Sequence, residues 1–464
     1  MLDTVLLWIS RNEKRWLGDL KNWLSIPSVS AQPDHATDIL AAADWAKDYL
    51  RTIGMDVEVI PTKRHPCIVA TTPPKLCAPN APHILIYGHY DVQPAEPLDL
   101  WESPPFEPTV RDGHLFARGA SDDKGQVHCH LAALLAWKEI NEGFPCRITV
   151  LLEGEEEIGS PNLMDVVRAK EDLLKSAQVL IISDTNQFAE GVPAITYGLR
   201  GLAYFEIKLT GANSDLHSGM YGGAVVNPAH VLASVLAQLH DSHGRVTVPG
   251  FYDDVEPLTE RQRAESRALP FTEAQFAADL GLTLEGLQGE EGFTSLERKS
   301  ARPTLEVHGL SSGYQGPGAK TVLPCEASVK FSCRLVPNQN PQRISALVEK
   351  YVRSLVPAGV SLEFHSHGTG NPAAITPLES PAMVAAAEAI ELGFGQKPVF
   401  TREGGSIPVV GWFKEALNLD TVMVGFGLPN DRIHAPNENL DLYCYYAGIR
   451  TAAALYQKLA DHLQ

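Results

Sequence analysis

The sequence predicts an α/β fold in which a mixed, largely parallel sheet with flanking helices is interrupted by a smaller α/β sandwich. Three observations carry this reading. Strand-length apolar runs alternate with helical patterns before Gly198, the rhythm changes after it, and elements of the first kind resume near the C-terminus.

The first stretch has apolar runs at His83 to Tyr87, Arg147 to Leu152 and Val179 to Ser183, with a helical pattern from Gln126 to Ile140 between the first two. Strand, helix, strand in that order implies parallel pairing, since a crossover is needed to bring the chain back in the same direction. Beyond Gly198 follow a strand (Ala203 to Leu209), a helix (Pro228 to His240), a strand (Ala327 to Leu335), a helix (Pro341 to Leu355) and a strand (Val360 to His365). Met383 to Leu392 then reads as a helix, Thr421 to Phe426 as a buried strand and Tyr446 to Leu463 as a closing amphipathic helix. Glycine and proline at Gly198 to Gly201 and Gly368 to Pro372 mark the crossings. The expected domains are therefore 1–198 with 372–464, and 199–371. A charged stretch from Phe251 to Gly292 reads as a helical excursion of the second domain, and no repeat interrupts the pattern.

Composition narrows the class. With 464 residues, 44% hydrophobic and 20% charged, the chain can bury more than one core. Lys plus Arg (38) against Asp plus Glu (56) gives a net charge of -18, which opposes nucleic acid and anionic lipid alike. An anionic small ligand would need a locally placed cation. The seven cysteines form no CxxC pair, so neither a disulfide framework nor a thiolate metal site is expected. No signal-peptide pattern opens the chain and no run reaches the roughly 20 apolar residues of a membrane helix. A protein of the cytoplasm, with no nucleic-acid or membrane partner, is expected.

Chemistry gathers where the apolar strands end. ILIYGHYDVQP delivers His89 and Asp91, ITVLLEGEEEIGS delivers Glu155, Glu156 and Glu157, VLIISDTN delivers Asp184, and TVMVGFGLPNDRIHAPNE delivers His434. In open α/β sheets the ligand crevice lies outside the carboxyl ends of the strands. RGASDDKGQ adds Asp122 and Asp123 in a turn before the Gln126 helix. Each segment alone reads as an ordinary polar turn. Together they make a mixed imidazole and carboxylate set, which cannot stay ionised in a dry crevice without cations and which suits zinc, manganese or cobalt. A dinuclear metal site is the economical explanation. Composition leaves open which of Glu153, Glu155, Glu156 and Glu157 would act as a base; neighbours in extended backbone would project to opposite sides.

GHYDVQP, RGASDDKG, EGEEEIGS, ISDTN, YGLRG, SDLHSGMYGG, KTVLP, RLVPN, TREGGSIP and the late His434 together resemble the M20 metallopeptidase family, in its dipeptidase branch. The resemblance runs from Ile26 to the end of the chain. It implies that His89, Asp122 and Asp184 hold one divalent cation and that Asp122, Glu157 and His434 hold a second, Asp122 bridging. Zinc is the first choice, with manganese or cobalt as alternatives. Asp91 would orient His89, and the EE-x-G-S register would make Glu156 the general base. One departure is Ala117, where many relatives carry glycine. A cis peptide is implied at Asp122-Asp123.

The same resemblance implies a lid and dimerisation role for the second domain. His217 would reach the active site of the partner in a homodimer, and Arg334 would pair with the free carboxylate of the substrate. Thr321, His367 and Ser406 would touch substrate, with Gly404 and Gly405 letting backbone approach. The implied activity is hydrolysis of dipeptides or short peptides with a free C-terminus, through a water whose proton Glu156 takes. An N-acyl amino-acid amidohydrolase using the same site is the alternative within the chemistry, and a non-catalytic binding protein the alternative outside it.

Overall fold

The computed structural model describes residues 1 to 463 apart from Thr369 and Ser406. Two compact units emerge: Met1–Tyr197, Thr376–Thr401 and Phe413 onward form the first, and Gly198–Ile375 with Arg402–Trp412 form the second. The short Arg402–Trp412 segment thus groups with the inserted unit.

The first unit is built on a mixed sheet. The strand order is Asp56–Ile60, Cys67–Thr71, Arg147–Glu153, His83–His89, Val179–Ile182, Thr421–Met423, Ala194–Leu199. The four strands from Arg147–Glu153 to Thr421–Met423 run parallel, and the strands outside them pair antiparallel. Every residue of His83–His89 is buried, as expected of a central strand covered on both faces.

Helices Lys124–Asn141, Pro381–Phe394 and Leu442–His462 pack together in this unit, joined by Leu2–Arg11. Lys124–Asn141 is buried from Lys124 through Trp137, so it shows no one-sided pattern and reads as a core helix. Ser380 and Asp441 cap their helices through side-chain oxygens that accept the Met383 and Cys444 N–H groups. A small antiparallel sheet joins His114–Phe116 to Asn439–Asp441, which lays the segment after His434 beside the turn that carries Asp122.

The second unit is an antiparallel sheet in the order Thr304–Ser312, Glu326–Leu335, Gly201–Thr210, Ser361–Ser366, with helices Pro228–Ala237 and Pro341–Leu355 packed on it. Burial alternates along Gly201–Thr210, and Phe205, Ile207, Leu209, Val329, Phe331, Leu232, Ile344 and Val348 form its core. The charged excursion contains helices Glu260–Ala268 and Glu273–Asp279, and helix Ser295–Ala301 follows it; the first and last of the three are opened by capping boxes at Thr259 and Thr294.

Candidate active site

The carboxyl ends of the parallel strands deliver the acids and imidazoles of the first unit to one place. His89 ends the His83–His89 strand and is fully buried. Its Nδ1 lies 3.1 Å from the Asp91 carbonyl oxygen, which can only accept, so Nδ1 carries the proton and Nε2 turns toward the site. That Nε2 is buried without an aligned hydrogen-bond partner, 3.1 Å from Asp122 Oδ1.

Asp122 has its two oxygens divided. Oδ1 faces His89, and Oδ2 lies 2.9 Å from His434 Nε2. The peptide between Asp122 and Asp123 is cis. The turn around it is held by the buried carboxylate of Glu438, which accepts the N–H groups of Gly119, Ser121 and Asp122 at 3.0 Å and the Arg118 guanidinium at 2.7 Å. Ala117 is fully buried within this frame, and its N–H donates to the Glu438 carbonyl.

The four glutamates divide into two pairs. Glu153 accepts the Tyr87 and Ser160 hydroxyls at 2.5 and 2.8 Å. Glu155 accepts the Thr62 hydroxyl, the His65 N–H and the Asn162 amide. Both are committed to local structure. Glu156 and Glu157 sit instead on the single turn Glu156–Ile158, closed by Gly159 at φ +85°, so the expected extended backbone is corrected to a 3-10 turn. Glu157 Oε2 lies 3.3 Å from His434 Nε2 and accepts the Gln93 amide at 2.7 Å, while its Oε1 is buried without a partner.

Ligand atoms of His89, Asp122 and Asp184 lie within 4.8 Å of one another, and so do those of Asp122, Glu157 and His434. Electrostatics show what this cluster lacks. Burial pushes the Glu156 carboxyl up to about 7, with Glu157, Asp122 and Asp91 adding repulsion against the pull of His89. Asp184 is raised by burial and then by Asp122 and Asp123. His434 is raised to about 10 by hydrogen bonds to Asp122 and Glu157. Acids crowded out of water in this way call for positive charge, which two divalent cations would supply in place of ring protons. The orphaned atoms of His89 and Glu157 fit that requirement.

In the second unit, His217 and Thr321 come together. Leu216–His217 pairs with Val322–Leu323, the Ser218 N–H donates to the Thr321 carbonyl, and His217 Nδ1 accepts the Gly219 N–H at 3.1 Å. Both side chains are exposed. Arg334 alternates with the core residue Cys333 and so lies on the sheet face away from that core. The His367 N–H donates to the Tyr204 carbonyl, and the His367 ring meets the Tyr204 ring edge-on at 5.3 Å. A Cβ at Gly404 would meet the Lys299 carbonyl at 2.2 Å, so that glycine is required by packing, whereas Gly405 faces open space. Ser406 lies outside the described residues.

Sequence reading missed Glu438, Arg118 and Gln93. Glu438 stands four residues after His434 in IHAPNE, which was the one available signal.

A parallel-strand crevice with one carboxylate shared between two imidazole and acid sets defines a class, the dinuclear-metal hydrolases. The chain belongs to one family within it: the profile of "Peptidase family M20/M25/M40" matches residues 85–458. It is similar to the "Cys-Gly metallodipeptidase dug1" of Schizosaccharomyces pombe, 32% identical over 99% of this chain and 98% of that one. It is 31% identical to the human "Beta-Ala-His dipeptidase", over 99% of this chain and 93% of that one. Among solved structures, the M20 family metallo-carboxypeptidase Sso-CP2 of Sulfolobus solfataricus superposes with a TM-score of 0.82 at 32% identity, covering 96% of this chain and 99% of that one. The chain is accordingly a hydrolase acting on peptide bonds. No helix among its described residues is long and apolar enough to cross a membrane.

Proposed function

We propose that the chain is a metallodipeptidase that hydrolyses dipeptides and short peptides with a free C-terminal carboxylate. His89, Asp122 and Asp184 hold one divalent cation, and Asp122, Glu157 and His434 hold the other. The observation that carries this is the division of Asp122, one oxygen toward each histidine. Zinc is the first choice for a set of imidazoles and carboxylates, with manganese or cobalt compatible.

Two bound cations supply Lewis acidity to the attacking water and the scissile carbonyl. Glu156 takes the proton of that water and delivers it to the leaving amine. Asp91 keeps His89 and the Glu156 turn in place. Residues 1–198 and 372–464 serve as the catalytic domain and 199–371 as lid and dimerisation domain. There Arg334 receives the substrate carboxylate, with Thr321, His367 and Gly405 as further contacts, and His217 acts across a homodimer. Exposed Met220 and Tyr221 beside His217 support a covered face in that assembly. Seven free thiols support a reducing cytoplasm. The amidohydrolase alternative is not favoured, since the relatives named above carry dipeptidase names.

Elemental analysis and a dipeptide assay test the reading together. Wild type should hold two cations per chain and cleave a dipeptide far better than its N-acetyl analogue. Asp122→Ala should lose both ions because the bridge is shared, and retention of two ions would refute the assignment.

A further inference from the structure

The span that carries His434 is fastened at both ends to one residue of another segment. Arg432, Ile433 and His434 are exposed, whereas Asp431 before them and Asn437 and Glu438 after them are buried. The buried residues on either side therefore decide where the imidazole stands. They do so through Ser121, the neighbour of Asp122. The Ser121 hydroxyl donates to Asp431 Oδ2 at 2.7 Å, and its N–H donates to Glu438 Oε1 at 3.0 Å. Its carbonyl accepts the Gln126 amide at 2.9 Å, and the Gln126 oxygen accepts the Phe426 N–H at 2.6 Å, which fixes the chain just ahead of the span.

Asp431 is held from its own side as well. Its Oδ2 also accepts the Leu428 N–H at 2.8 Å, and its carbonyl accepts the Asn439 N–H at 2.9 Å. The chain keeps room for the bond between Ser121 and Asp431: a Cβ at Gly427 would meet Ser121 Oγ at 2.7 Å and Asn186 Oδ1 at 2.6 Å. The segment of Asp184 ends at the same place, since Asn186 pairs with Gly427 and the Gln187 N–H donates to the Gly427 carbonyl at 2.8 Å.

We propose that Ser121 and Asp431 are positioning residues that hold His434 against Asp122 and so set the affinity of the Asp122, Glu157 and His434 set for its divalent cation. The inference rests on the metal assignment made above. His89 and Asp184 of the other set are delivered by parallel strands and do not depend on the 431–438 span. Removing the Ser121 hydroxyl leaves its N–H with Glu438 and its carbonyl with Gln126, so Asp122 keeps its place while the span loses its first anchor. One cation should weaken and the other should not. Partners that hold a ligand in this way typically contribute 10- to 100-fold in metal affinity, roughly.

Full-length protein, stripped by a chelator, is titrated with Zn2+ against a chromophoric competitor. Wild type should take up two cations per chain. Ser121→Ala and Asp431→Ala should each bind one cation within about threefold of the parent and the other about 10- to 100-fold more weakly. Asp431→Asn keeps an acceptor for both donors and should recover most of that loss. Activity lost by Ser121→Ala at limiting Zn2+ should return toward the parent value when Zn2+ is in excess. Should Asp431→Ala fail to fold, Ser121→Ala, which removes a single oxygen, decides the matter. Two unchanged affinities in Ser121→Ala, even with a lowered melting temperature, equal weakening of both cations, or equal loss in Asp431→Asn and Asp431→Ala overturns this inference alone. A wild type that binds fewer than two cations overturns the metal assignment and this inference with it.

Discussion

The carboxylate of Asp91 is hydrogen bonded to the backbone of Glu157, its Oδ2 accepting that N–H at 3.0 Å. Oδ1 accepts the Glu156 N–H at 3.2 Å, and the carbonyl of the same residue faces His89 Nδ1. One aspartate therefore ties a proposed ligand at the end of one strand to the proposed base and a second ligand at the end of its neighbour. Its influence on His89 runs through the backbone carbonyl as well as through the carboxylate, which stands 3.5 Å from the ring.

Asp91→Asn keeps the carbonyl contact and one acceptor but removes the charge that two N–H groups share. Partners of this kind typically contribute 10- to 100-fold in metal affinity or activity, so kcat should fall by about that factor with KM little changed. Steady-state kinetics at saturating metal, with a metal titration alongside, check it. A variant within about threefold of the parent in both readings would remove Asp91 from the positioning role.

Glu156→Gln keeps size and removes basicity. Activity should fall by at least about 100-fold while two cations remain bound. Glu153→Gln is the contrast. Burial raises Glu153 to about 8 despite bonds from Tyr87 and Ser160, so it already carries a proton near neutral pH, and glutamine reproduces that form. Activity of this second variant should stay within about threefold of wild type, because the acid takes no part in proton transfer. Equal losses in the two variants would mean that the base is misassigned.

His217 lies in the second unit, in a different unit from every proposed metal ligand. If it acts across a homodimer, mixing His217→Ala chains with Glu156→Gln chains should produce hybrids with one complete site. Activity should recover toward about a quarter of the parent, half of the dimers being hybrid and each of these having one complete site. Proven subunit exchange without recovery would assign His217 to its own chain or to no catalytic role.

How far the sequence revealed this site follows from the range of its signals. The parallel strands were legible because apolar runs such as ILIYG stop abruptly at His89, and the helix after Asp123 because its pattern is long. Ends were less legible: the last helix begins at Leu442, capped by Asp441, ahead of the expected Tyr446. Helices Glu13–Leu24 and Ala36–Ile53 and the edge strand Asp56–Ile60 were not read. That strand is short and largely exposed, and its pairing with Cys67–Thr71 is decided by tertiary packing. Glu438 and Gln93 escaped for a different reason. Their partners Asp122 and Glu157 lie 316 and 64 residues away in the chain, so no local spacing announces them.

Three buried neutral histidines each make the fold less tolerant of acid. His83 bonds the hydroxyls of Ser176 and Thr149, both at 2.8 Å, and is lowered to about 4 by burial and then by Arg147. His128 and His130 are lowered to about 3 by burial, the latter between the Tyr456 and Ser183 hydroxyls. Each folded value lies below the unfolded value near 6.5, so between the two the unfolded chain binds more protons and stability falls as pH falls. The slope is about 1.4 kcal/mol per pH unit for each such group, fully developed below about pH 6. Glu153 works the other way, its raised value favouring the folded state as pH drops through about 8. Glu153 keeps contributing in this sense until the unfolded value near 4.5 is reached, as do the raised acids Glu156 and Asp184 when the cations are removed, so the histidine effect is read by comparing variant with parent. Denaturant unfolding of chelated protein from pH 7 to 5 isolates this from cation release. Relative to the parent, His83→Gln, which keeps polar contacts without titrating, should change in stability with pH less unfavourably on acidification, by about 1.4 kcal/mol per unit below pH 6. An identical slope in the variant would show that His83 titrates normally in the folded chain.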